Sequence, residues 1–260
     1  SYIVGLGIEF AVAQIKGHEI NEGFLVSGLL IPMIMPVEAP LWMIAVSTAF
    51  AVIIGKEIFG GTGMNIWNPA LLARAFFFFS YPSMISGDGV WIADKPDTFS
   101  GATPLAEAAL GMPVTHDLST MFWGLIPGSI GETSTFCILL GAIVLLATGI
   151  ASWRIMFSVF AGGFLMATLL QFTLPESNPY AHITALEQLV MGGFAFGAVF
   201  MATDPVTSSQ TNTGKYIYGL LVGCMAIIIR CINPGYPEGM MLAILLMNTF
   251  APLIDWFVVQ

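Results

Sequence analysis

Apolar runs close to the length of a bilayer crossing recur along this chain, at residues 40–58, 64–82, 133–152, 155–173, 214–233 and 238–258. A spanning helix needs ~20 such residues, so each run predicts a crossing. The runs at 24–36, 119–130 and 187–203 are too short to cross unaided, and 1–15 reads as the end of a helix. Charged residues make up only 9% of the chain and the mean hydropathy is +0.86. A soluble domain of this size carries about 25% charged residues to solvate its surface. Lipid must therefore cover much of this one, and the bilayer acts as its solvent. Twenty-eight glycines suit close helix packing, and fifteen methionines suit adaptable apolar contacts.

The polar stretch at 85–118, rich in Gly, Pro, Asp and Thr, is the main interruption. If it faces outward, Lys16, Lys56, Arg154 and Lys215 fall at inner ends and Lys95 alone in an outer loop, the bias expected of basic residues. A net charge of −9 makes nucleic acid and anionic headgroups poor partners. Cys137, Cys224 and Cys231 lie in apolar runs without CxxC spacing, so this chain alone builds no zinc or iron–sulfur site. No signal peptide is visible. The chain opens at Ser1 inside an apolar segment, which predicts a missing N-terminal portion.

An internal repeat organises these runs. Gly23-Phe-Leu-Val-Ser-Gly28, closing at Pro36, aligns with Gly192-Gly-Phe-Ala-Phe-Gly197, closing at Pro205. Each copy continues with a full span, a Gly-rich break and a second span: Gly60-Gly61-Thr62-Gly63 then Asn68-Pro69 in one, Asn233-Pro234-Gly235 then Asn248 and Pro252 in the other. The topology above starts the first copy inside and the second outside, which makes the repeat inverted and places sites at its interface. The predicted fold is an all-α integral membrane protein: a multi-span helical bundle with inverted repeats and broken or re-entrant helices. It forms one transmembrane domain over 1–260, with the end of the first repeat at 1–84, an outer loop at 85–118 and the second repeat at 119–260.

Within the outer loop stands Asp97-Thr98-Phe99-Ser100-Gly101-Ala102-Thr103-Pro104-Leu105. Taken bare it is a turn. Gly101 permits an unusual backbone angle, and Thr103-Pro104 opens a helix with Pro104 in its first position. A helix N-terminus is also a ready phosphate site.

The D-x-x-S-G-A-T spacing of Asp97, Ser100, Gly101, Ala102 and Thr103 resembles the site at which a flavin transferase attaches FMN to a Thr hydroxyl through a phosphoester. The segments Gly60–Phe76 and Gly128–Ser134 resemble the same family, the NqrB subunits of sodium-translocating NADH:quinone oxidoreductases and, more distantly, their RnfD relatives (the NqrB/RnfD family). The resemblance covers essentially the whole chain. It implies a fold similar to urea transporters, covalent FMN on Thr103, a noncovalent riboflavin, electron delivery to ubiquinone coupled to Na⁺ movement, and a place in a six-subunit complex of the bacterial cell inner membrane. Asp97, Ser100, Gly101 and Ala102 are then parts of the attachment motif, with Asp97 and Ser100 read by the transferase.

Asn65 and Asn68, three apart on one predicted helical face, are candidates for the riboflavin edge, with capping and kink satisfaction as the structural alternative. Arg74 lies deep in its run and needs a carboxylate, flavin or phosphate partner. Phe76 and Phe78, from the run Phe76–Phe79, are candidates for flavin or quinone contacts, with ordinary packing as the alternative. Glu9 is a candidate for the quinone site, and Glu9 and Asp255 are candidates for Na⁺, since oxygen ligands suit hard cations. Interfacial placement or contact with partner subunits is the alternative for both carboxylates. No G-x-G-x-x-G follows a strand, so NADH oxidation is expected on other subunits. Two alternatives remain open: an RnfD-type subunit of an ion-pumping ferredoxin:NAD oxidoreductase, and a urea-type channel, which would not need the Thr103 motif.

Overall fold

The computed structural model of the chain describes residues 1–17, 23–82, 103–233 and 236–260. Asp97, Ser100, Gly101 and Ala102 fall outside these residues. The described residues are all-helical: α1 (Tyr2–Lys16), α2 (Phe24–Ile34), α3 (Leu41–Gly55), α4 (Pro69–Ser80), α5 (Pro104–Ala109), α6 (Leu118–Trp123), α7 (Thr135–Ala147), α8 (Trp153–Thr173), α9 (Ala185–Val190), α10 (Phe194–Phe196), α11 (Asn212–Ile232) and α12 (Met240–Val259). A π-helical turn, Gly197–Met201, continues α10. Four segments are long and apolar enough to cross a membrane: Leu41–Phe59, Trp153–Thr173, Asn212–Ile232 and Met240–Val259. The chain is a multi-pass helical membrane protein.

Two predicted crossings are shorter than their hydropathy suggests. The run at 64–82 is helical only over α4, whose 12 residues rise about 18 Å against the ~30 Å of a hydrocarbon core. Gly60, Gly61 and Gly63 take φ of 121°, 98° and 89° and turn the chain ahead of this run, and Asn68, extended before Pro69, caps α4 and sets its start. The run at 133–152 gives only the 13 residues of α7, and the chain turns soon after at Gly149, φ 71°.

Helices α8 and α11 form the tightest pair and run parallel. Ser158 near the start of α8 donates to the Lys215 carbonyl near the start of α11 (3.4 Å), and Asn178, just past α8, donates to the Cys231 carbonyl at the far end of α11 (3.1 Å). Residues 174–211 must therefore cross back between them, and they do so as a broken path through α9, α10 and the π-turn. Gly219 and Gly223, spaced GxxxG, with Gly162 opposite, let the two backbones meet. A Cβ on Gly223 would collide with the Val159 carbonyl, and one on Gly162 with the Leu220 carbonyl. Backbone obstacles cannot rotate away, so Gly223→Leu is expected to cost about 3 kcal/mol or more, the upper end of overpacking penalties. Thermal unfolding in detergent checks this; a wild-type melting temperature would contradict the packing.

Candidate functional site

A cavity of about 330 Å³ opens beside Thr103, within the size range of small-molecule sites. Local sequence places Thr103 at its edge. Pro104 sets the first turn of α5, and Thr103 takes φ −65°, ψ 151° as N-cap, its Oγ1 accepting from the Ala106 N–H at 3.1 Å. Glu107, on the same short helix, accepts from the backbone N–H and hydroxyl of Thr115 at 3.0 and 2.8 Å, which anchors the following loop.

The cavity wall carries one cation and two carboxylates. Arg74, midway along α4, donates from Nη1 to Glu132 Oε1 at 2.5 Å and from Nη2 to Glu238 Oε2 at 2.6 Å. The Tyr236 hydroxyl donates to Glu238 Oε2 at 3.0 Å, and the Tyr236 ring meets Phe78 edge-on with centroids 4.4 Å apart. Burial pushes the Glu132 carboxyl up from its ordinary value, Arg74 opposes this and Glu238 adds to it, leaving a net rise. Behind Gly192 and Gly193 lies Arg230, 1% exposed. It donates to the backbone carbonyls of Gln188, Met191 and Glu238 and sits over the Phe194 ring.

A second polar cluster lies where the broken crossings meet. Asn68 accepts from the N–H groups of Ala70 and Leu71 at 3.0 and 3.3 Å, capping α4, and its amide nitrogen faces Asp204 Oδ2 at 3.5 Å. Asp204 also accepts from the Thr207 hydroxyl at 3.0 Å and the Val206 N–H at 3.1 Å. Asn248, near the middle of α12, fits with its nitrogen toward the Tyr218 hydroxyl (2.7 Å) and the Ile244 carbonyl (3.3 Å) and its oxygen accepting from the Asn68 N–H (3.2 Å). From this cluster α4 runs toward the cavity, ending near Phe78, whereas the 192–211 path leaves the cavity at Gly192 and reaches the cluster at Asp204. The two broken crossings therefore run in opposite directions.

A family model described as the NQR2, RnfD, RnfE family matches residues 1–260. The chain belongs to the NQR2, RnfD, RnfE family. Curated relatives include the B subunits of the Na(+)-translocating NADH-quinone reductases of Chromohalobacter salexigens, 53% identical over 264 aligned positions, and of Ectopseudomonas mendocina, 52% identical over 265. A protein of the same name from Pseudomonas aeruginosa is 51% identical. All of this chain is covered in each case, but only 64% of the first relative and 65% of the other two.

In this member of the NQR2, RnfD, RnfE family the residues singled out from sequence disperse. Thr103, Arg74 and Phe78 share the cavity. Asn65 and Asn68 sit in the irregular segment ahead of α4 rather than on a helical face; both are buried, Asn65 donating to the Trp67 carbonyl at 3.2 Å. Phe76 stacks on Phe50 of α3 with centroids 4.4 Å apart. Glu9 pairs with Lys56 at 2.5 Å, both buried. Asp255 accepts from the Ser209 and Thr211 hydroxyls and from the N–H groups of Gln210 and Thr211, at 2.5 to 3.0 Å, and so organises the start of α11. Among the described residues no three of His, Cys, Asp and Glu converge as a metal site would require. Glu238 and Tyr236 were not legible as site residues, because the short turn between two spans reads as an exposed connection. The one signal was Arg74 itself, a cation deep in an apolar run, which called for a partner without indicating which residue supplies it.

Proposed function

We propose that this chain is the membrane core of the NqrB-type subunit of a Na⁺-pumping NADH:ubiquinone oxidoreductase in the bacterial inner membrane. It holds FMN through a phosphoester on Thr103 and riboflavin noncovalently beside Asn65 and Asn68, within a six-subunit complex. The observation that carries this reading is the placement of Thr103 at the edge of a ligand-sized cavity. The cavity residues fit a flavin: Phe78 and Tyr236 offer aromatic surface, Leu105 and Ile126 apolar surface, and Arg74 and Glu132 polar edges. Bound flavin supplies the electron-transfer chemistry, and the protein supplies position and electrostatics. Thr103 tethers and takes no part in turnover. The flavin transferase reads Asp97 and Ser100 of the attachment motif during maturation.

Flavins held at the Thr103 cavity and beside the Asn68 cluster would carry electrons from a partner flavin toward ubiquinone, and outward Na⁺ movement would be coupled to that flow. The ten-residue step along α4 from Asn68 to Phe78 is about 15 Å, so one half-helix links the two centres. NADH is oxidised on other subunits. The relatives' name favours a quinone partner over the ferredoxin of an RnfD-type complex.

Expression with the flavin transferase tests the reading. On a denaturing gel under ultraviolet light the wild-type band fluoresces, and acid extraction releases riboflavin. Asn68→Leu keeps the fluorescent band and loses most of the extractable riboflavin. A dark wild-type band from intact protein, or riboflavin fully retained in Asn68→Leu, would overturn the respective assignment.

A further inference from the structure

The Arg74 guanidinium is shared between Glu132 and Glu238, and all three line the Thr103 cavity. A bridge that only had to neutralise Arg74 would need one carboxylate. A second is costly to keep out of water, because every ion removed from solvent carries a desolvation penalty. Three separate features nevertheless hold it there. Tyr236 donates to the Glu238 carboxylate. Arg230 donates to the Glu238 backbone carbonyl at 3.4 Å. Gly193 lacks the Cβ that would stand 2.5 Å from Glu132 Oε1 and 2.7 Å from Glu238 Oε1. The charges are thus fixed in place on the wall, where water screens them poorly.

The geometry points to Arg74, Glu132 and Glu238 as the residues that set the reduction potential of the flavin in this cavity. Glu238 supplies the excess negative charge, which lowers the electron affinity of the site. Arg74 supplies the opposing positive charge. This rests on the reading of Thr103 as the flavin anchor. The cluster acts through space as a set of positioning charges and takes part in no bond change. Unit charges some 8 Å apart at an effective dielectric of about 20 interact strongly enough to move an equilibrium tenfold or more. A site weakened in this way passes its electron on instead of retaining it.

The test is a spectroelectrochemical titration of flavin absorbance in the purified complex, in mildly alkaline buffer because burial pushes the Glu132 carboxyl up from its ordinary value. The component missing from Thr103→Ala is the one read. Glu238→Gln keeps an acceptor for Tyr236 and removes the charge. It is expected to raise the one-electron reduction equilibrium of that component at least tenfold, about 59 mV. Glu132→Gln shifts it in the same direction, and Glu238→Asp restores the wild-type value. If both Gln variants retain the fluorescent band with an unchanged potential, or shift it downward, the inference is wrong while the anchor stands. If wild type carries no covalent flavin, the anchor fails and the inference with it.

Discussion

Arg74→Leu is expected to leave little folded protein in the membrane. The substitution removes one cation and strands two carboxylates, Glu132 at 8% exposure and Glu238 beside it. Breaking a buried pair by removing one partner costs about 3–5 kcal/mol, and here two acids lose their partner together. Folded proteins are stable by only about 5–15 kcal/mol. The triple variant Arg74→Leu/Glu132→Gln/Glu238→Gln removes the stranded charge and is expected to recover most of the loss, since neutral hydrogen-bonding replacements leave no uncompensated ion. The recovery is non-additive, as for any group of contacting charges. Yield of monodisperse protein and thermal unfolding in detergent read both outcomes. Wild-type stability in Arg74→Leu would show that the cluster is solvated and would remove the basis for a fixed charge at the cavity.

Thr103→Ala carries the second large effect, complete loss of covalent flavin at small cost to the fold. On the proposed reading the same oxygen has two roles that can be separated. As N-cap it accepts from Ala106, and its removal costs about 1 kcal/mol. As the proposed anchor it would supply the oxygen of the phosphoester, so its removal leaves no attachment point at this position. Thr103→Ser keeps a hydroxyl and a cap. It is expected to retain stability and to regain at least part of the flavin, according to how well the transferase accepts a primary alcohol. A fold that collapsed in Thr103→Ala would make flavin loss uninformative, which is why the melting temperature is measured beside it.

The long crossings were legible because hydropathy and length suffice for them; α8, α11 and α12 begin and end within about two residues of their apolar runs. The half-length α4 was not, because Met64, Ile66 and Trp67 keep the local hydropathy high, while extended Asn68 ahead of Pro69 starts the helix only at residue 69. The cap at Thr103 followed from Thr-Pro alone. The partners of buried charges were illegible in principle. Glu9 finds Lys56 across 47 residues and Arg74 finds Glu238 across 164, pairings that only the packing of distant helices decides. Asp255, a candidate for Na⁺ in sequence, takes four donors from the segment ahead of α11, contacts that sequence does not reveal for the same reason.

The covalent flavin is tested most directly by the mass of the proteolytic peptide that spans Thr103, from protein made with and without the flavin transferase. The peptide from wild type made with the transferase is heavier by FMN less one water, with fragmentation placing the addition on Thr103. The peptides from Thr103→Ala and from wild type made without the transferase have the unmodified mass. An unmodified peptide from wild type made with active transferase, or an addition that persists in Thr103→Ala, would contradict it.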